Sequence, residues 1–121
     1  VRMAVTNVTE VVIGATRKKL LITVTDENLA PIPITGGAVV LQGTSADIPG
    51  NTLDVAGTIL DGPNGVAQWT QLGGTGFITT GELGSLTQAT YVCRVKFTDT
   101  VGGGLVDYGP EFSITWKKPP V

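Results

Sequence analysis

Bulky apolar residues recur at every second position through several stretches of this chain, the period of a strand that buries one face and wets the other. The longest such run covers residues 91–98, where Tyr91, Cys93, Val95 and Phe97 share one side and Val92, Arg94, Lys96 and Thr98 the other. Phe112, Ile114 and Trp116 alternate in the same way with Glu111, Ser113 and Thr115. Leu20, Ile22 and Val24 alternate with Leu21, Thr23 and Thr25 until Asp26-Glu27-Asn28, a turn-forming cluster, ends the run. Further strands are expected at residues 38–42, 53–60 and 66–72. The last two flank Asp61-Gly62-Pro63-Asn64-Gly65, whose prolyl and Asn-Gly elements suit a tight reversal. Residues 3–13 supply one or two more strands, broken near Asn7, and Gly102-Gly103-Gly104 lets residues 99–110 close a long hairpin.

Seven to eight short strands, with turn signals at roughly ten-residue spacing, predict an all-β chain: an immunoglobulin-like two-sheet antiparallel β-sandwich, with a closed barrel as the competing arrangement. The 18 Thr, 15 Val and 8 Ile push the same way, because β-branched side chains lose rotamer freedom in helices and pack well on a pleated surface. At 121 residues, without internal repeat or linker, a single domain over 1–121 is expected. Residues 1–15 form an N-terminal arm or the first strands, and 117–121 a tail whose Pro119 and Pro120 cannot donate ladder bonds.

Composition narrows the partners. Charged residues are 15% of the chain and hydrophobic ones 41%, with 17 Gly and 7 Pro spread over its length, the make-up of a folded, turn-rich protein. A net charge of -2 offers no basic face for a phosphate backbone, so nucleic acid is not an expected partner. The clusters Arg17-Lys18-Lys19 and Lys117-Lys118 each flank an expected strand and read as solvated strand ends. No apolar run approaches the ~20 residues of a membrane helix, and the first residues lack the blocks of a signal peptide. No membrane partner is therefore expected, and synthesis in a cytoplasm is. The single cysteine, Cys93, excludes an intrachain disulfide.

Catalytic chemistry has little to stand on. There is no histidine, which removes the commonest general base, the usual triads and most transition-metal sites. Ser45, Ser85 and Ser113 have no evident activating base, and Cys93 lies on the apolar side of its strand, where a thiol packs inertly. Asp61 with Asp99, or Asp99 with Asp107, could pair across neighbouring loops, although loop aspartates are usually solvated turn formers. No spacing matches a calcium loop. Gly73-Gly74-Thr75-Gly76 is followed by neither the Lys-Ser or Lys-Thr of a phosphate loop nor an expected helix. The expectation is a non-enzymatic protein without cofactor or metal.

Leu86-Thr87-Gln88-Ala89-Thr90-Tyr91-Val92-Cys93 resembles the stretch entering the F strand of immunoglobulin domains, where a tyrosine two residues before the cysteine closes a corner. The resemblance implies that the Tyr91 hydroxyl bonds backbone a few residues upstream. A broader one runs from Leu20 to Trp116. Its parts are a strand and polar turn at 20–28, the step Pro33-Ile34-Thr35-Gly36, the restart Gly65-Val66 after a hairpin, the tyrosine strand ending at Asp99, and the final Phe112-Ser113-Ile114. In order and spacing these are similar to the N-terminal immunoglobulin-like domain of phage baseplate upper proteins, with a longer segment at 43–51. The resemblance implies a structural virion protein, a tail or baseplate adaptor or a head decoration, made in the bacterial host and associated with other virion proteins.

If such a protein works by contact, its contact groups should be apolar side chains that the strands do not need. Phe77, Ile78 and Leu83 lie in a glycine-rich segment, either tucked over the sandwich end or presented to a partner. Val101 and Leu105 at the hairpin tip share that ambiguity. Val5 and Val8 of the N-terminal arm could pair with the open sheet edge of a neighbour and so favour a homo-oligomer. A carbohydrate-binding sandwich for host-surface adhesion is the alternative. It needs exposed aromatics, and Trp69, whose parity within 66–72 is unclear, is the candidate.

Overall fold

The computed structural model describes residues 2–5, 8–99 and 104–119 of the chain. The strands run β1 (Arg2–Val5), β2 (Glu10–Val12), β3 (Leu20–Thr25), β4 (Ala38–Thr44), β5 (Thr52–Ala56), β6 (Thr58–Asp61) and β7 (Val66–Trp69). After one helical turn, α1 (Thr80–Leu83), come β8 (Gln88–Asp99), β9 (Leu105–Tyr108) and β10 (Phe112–Lys117). They form two packed sheets, one in the order β1-β3-β7-β6 and one in the order β2-β10-β8-β4-β5, with β9 also paired to β8. These orders match the A-B-E-D and A′-G-F-C-C′ layers of an immunoglobulin-like sandwich, so the fold class expected from the periodicity is the one observed.

Ten strands among the described residues exceed the expected seven to eight, for local reasons. The stretch 53–60 is not one strand. It breaks at Gly57, where an added Cβ would lie 2.6 Å from the Trp69 ring, and the chain crosses there from one sheet to the other. The returning strand after the long hairpin is interrupted too. Lys96 pairs with Tyr108 while Cys93 pairs with Phe112, so residues 109–111 oppose only two residues of β8. This bulge inverts side-chain parity: Tyr108 points to solvent, whereas Ile114 and Trp116 point inward. At the bulge, Gly109 donates its N–H to the Val95 carbonyl and leaves room for Met3.

One pairing is not antiparallel. β2 runs parallel to β10, with Trp116 opposite Val11, because the N-terminal segment changes sheets after β1 and keeps its direction. The expectation of a wholly antiparallel sandwich is corrected at this edge. It also ties the arm into its own fold, with β1 paired to β3 and Val11 fully buried.

The interior follows the two-residue period. Leu20, Ile22 and Val24 of β3 share one core with Tyr91, Cys93, Val95 and Phe97 of β8 and with Ile114 and Trp116 of β10. Each such side chain contributes roughly 1.5–3 kcal/mol on burial. Phe112 is only partly buried against this cluster. Trp69 is corrected from a possible sugar platform to a core residue: it is 2% exposed, and its Nε1 donates to the Val55 carbonyl at 2.8 Å.

Candidate functional site

β8 is the central strand of the larger sheet, and its even-numbered residues all face away from the core. Register places their neighbours. Thr44 and Ser113 flank Val92, Gln42 flanks Arg94, Val40 and Tyr108 flank Lys96, and Ala38 and Val106 flank Thr98. One strand further out, Asp54 sits opposite Gln42 and Thr52 opposite Thr44. The result is an open face built from five neighbouring strands.

Three of the exposed large hydrophobic residues lie on it, Val92 at 45%, Val106 at 44% and Tyr108 at 49% exposure. The bulge at 109–111 puts Tyr108 there, since an uninterrupted strand in register with β10 would turn it inward. The Arg94 guanidinium lies over the Tyr108 ring, 4.4 Å from its centroid, an arrangement worth about 0.5–1 kcal/mol when exposed. Beside this pair runs a groove of about 470 Å³, lined by the side chains of Gln42, Thr44, Thr52, Asp54, Val92, Arg94 and Glu111. Asp54 and Arg94 stand two strands apart on this face and are not ion-paired with each other. The face therefore offers an aromatic ring, short aliphatic groups and both signs of charge, with hydroxyl and amide groups between them. That chemistry suits recognition, not bond breaking.

The residues singled out from the sequence fall elsewhere. Ile78 and Leu83 are 1% and 3% exposed core residues, so neither presents its side chain to a partner. Phe77 is partly buried, stacked on Trp116 with ring centroids 6.4 Å apart. The glycine-rich segment is folded over the end of the sandwich by α1. Its Thr79 side chain accepts from the Glu82 N–H while the Glu82 side chain accepts from Thr79 N. The spacing Thr79-x-x-Glu82 is a capping box and was the signal for this unexpected helical turn. Val5 and Val8 pack partly against the core, Val5 inside β1, which corrects the free arm. Val101 lies outside the described residues, and Leu105 pairs through its backbone with Asp99 in β9.

Two groups in the core bear on chemistry. Burial pushes the Cys93 thiol up to about 12, and its S–H donates to the Tyr91 carbonyl at 3.6 Å, so it stays protonated in the core. The Tyr91 hydroxyl is buried without a hydrogen-bond partner among the described residues, which corrects the corner bond implied by the immunoglobulin resemblance. The ring is held edge to face against Trp116, and Phe77 stacks on that indole, so aromatic packing fixes the ring where the corner bond was expected to. Burial, and then the Glu82, Cys93 and Asp47 charges, raise the Tyr91 phenol above its ordinary value. Among the described residues no three His, Cys, Asp or Glu side chains converge as metal ligands.

Compared with protein-family models and with curated proteins, the chain matches none.

Proposed function

We propose that this chain is a non-enzymatic assembly module of a bacteriophage particle, a tail or baseplate adaptor or a head decoration that works through protein contacts. The observation that carries the reading is the outward face of the larger sheet, where Val92, Val106 and the Arg94–Tyr108 pair stand exposed on a rigid central strand. Aromatic and Arg side chains are the residues most enriched at the energetic centres of protein interfaces. The similarity of 20–116 in order and spacing to the immunoglobulin-like domain of phage baseplate upper proteins supports the setting, and the absence of histidine supports a role without catalysis. Mass spectrometry of purified phage particles from the host that makes this chain tests it. A fixed copy number per particle is expected, and particles without the chain would overturn the reading.

The groove beside Arg94 favours a second reading, a site for a glycan. Hydroxyl-rich ligands use mixed donors and acceptors of the kind supplied by Asp54, Gln42, Arg94 and Thr44, and Tyr108 would take the part that buried Trp69 cannot. Binding on a glycan array that is lost in Asp54→Ala would favour it over the assembly role.

A further inference from the structure

The two ends of the sandwich carry opposite charge. β3 and β8 run the same way, since Leu72 joins Lys18, just before β3, to Trp116, which lies opposite Ala89 at the start of β8, so the connections divide into two groups. At the end where β3 and β8 begin lie Arg17, Lys18 and Lys19, all exposed, together with Lys117 and Lys118. These are five of the eight Lys and Arg residues. At the end where β3 and β8 finish lie Asp26, Glu27, Asp61, Asp99 and Asp107, five of the ten acidic residues. The basic end also holds Glu10, which bridges to Lys117 at 2.9 Å, Asp47, which accepts from Thr90 N, and Glu82, which accepts from Thr79 N and the Asn51 amide, while Arg2 begins β1 at the acidic end. The basic end therefore keeps an excess of two positive charges and the acidic end an excess of four negative ones. The 12 residues of β8 separate the two groups by about 40 Å, well beyond the screening length at physiological salt.

Apolar groups mark both ends as well. Leu29, 66% exposed, is the most exposed of the large hydrophobic residues described, and it sits in the left-handed region with φ 64. Asp26 holds it there. Its Oδ1 accepts from Asn28 N and Ala30 N, and its carbonyl accepts from Leu29 N. A non-glycine residue in that region is strained, and here the outcome is a leucine held out into water amid carboxylates. At the basic end Leu86 is 38% exposed, next to the segment that receives Lys118, whose N–H donates to the Thr87 carbonyl.

We propose that copies of this chain bind head to tail, the basic end of one against the acidic end of the next, with Leu29 seated beside Leu86. Such a contact is heterologous, and repeating it gives a ring if the rotation closes and a row if it does not. The proposal rests on the assembly reading above and adds to its outward face a second contact surface, whose partner is another copy of the chain.

Sedimentation velocity on the unaltered chain at ~10 mM and ~500 mM salt, where the screening length falls from about 30 Å to a few Å, reads the contact directly. The expected result at low salt is a weight-average mass that at least doubles with concentration, returning to the 12.5 kDa of one chain at high salt. Two charge variants make the test specific. Arg17→Glu with Lys18→Glu and Lys19→Glu leaves both ends acidic, and Glu27→Lys with Asp107→Lys cancels the excess of carboxylates at the acidic end while the other end stays basic. Each alone should stay monomeric with unchanged circular dichroism, and an equal mixture should associate. A chain that keeps monomer mass at low salt up to ~1 mM overturns the proposal, as does association that neither salt nor the variants alter. So does a mixture that stays monomeric. Failure here with the chain present in particles would sink only the head-to-tail contact, whereas salt-sensitive association with the chain absent from particles would sink only the virion setting.

Discussion

Tyr91 and Trp116 meet edge to face in the core, their ring centroids 5.5 Å apart and their planes inclined by 88°. Their polar atoms fare differently. Trp116 Nε1 donates to the Leu72 carbonyl at 2.9 Å, while the Tyr91 hydroxyl is buried without a partner among the described residues. A buried hydroxyl left unpaired costs roughly 1–3 kcal/mol, and the ring contacts survive its removal. Tyr91→Phe should therefore leave the unfolding free energy unchanged or raise it by about 1 kcal/mol in urea titrations. A loss of more than about 1 kcal/mol would mean that the hydroxyl is hydrogen-bonded after all.

Cys93 makes the fold sensitive to alkali. Its thiol is raised from an ordinary 9.0 to about 12 by burial, so between those values the unfolded chain gives up a proton that the folded chain retains. The stabilisation is fully present below pH 9 and is lost as pH rises towards 12, to a limit of roughly 4 kcal/mol. Cys93→Ala, which removes the titrating group, should be slightly less stable at pH 7 and lose less stability between pH 8 and pH 10.5. Parallel slopes for the two proteins in that interval would refute the assignment.

Gly65 carries the turn between β6 and β7. Its φ is +73°, and an added Cβ would lie 2.6 Å from the Val24 carbonyl oxygen and 2.7 Å from that of Ile32. Gly84 also has positive φ, +60°, but open space around it. Gly65→Ala should cost about 3 kcal/mol or more and Gly84→Ala about 1, since the first meets rigid backbone and the second only backbone strain. Thermal unfolding of the two variants side by side checks the order, and equal losses would contradict it.

Ile78 and Tyr108 exchange the roles that an apolar residue in a loop suggests. Ile78→Ala should lower stability by about 2–5 kcal/mol, as for any core truncation. Tyr108→Ala should cost about 1 kcal/mol or less, and should reduce incorporation into particles at least tenfold if the outward face makes the contact. Urea unfolding and copies per particle, measured on both variants, separate the two roles. Normal incorporation of Tyr108→Ala would remove this face from the assembly reading.

How legible each part was depends on how local its cause is. The alternation in 91–98 and 20–25 required only a count of every second residue, and it correctly placed Tyr91, Cys93, Val95, Phe97, Leu20, Ile22 and Val24 indoors. The tight reversal at 61–65 was equally local, set by Asn64 and Gly65. The Thr79-x-x-Glu82 capping box was visible as well, but four residues are too short to announce a helix by periodicity. Tyr108 was not legible as an outward residue. Its direction depends on one extra residue at 109–111, and that insertion exists only relative to β8. Trp69 was hidden for a related reason: Gly57, twelve positions away, makes room for the indole.

By itself, then, the chain of residues determined the all-β class, the strand faces and most of the core, because those follow from a side chain's distance to its own neighbours along one strand. Tertiary structure decided which strand each one joins, where the N-terminal segment changes sheets, and which apolar groups stay outside. It also gathered Arg17, Lys18 and Lys19 with Lys117 and Lys118, nearly a hundred positions apart in the chain, at one end of the sandwich. Strand direction alternates through space and not along the chain, so a separation of charge between two ends cannot be read until the strands are laid side by side.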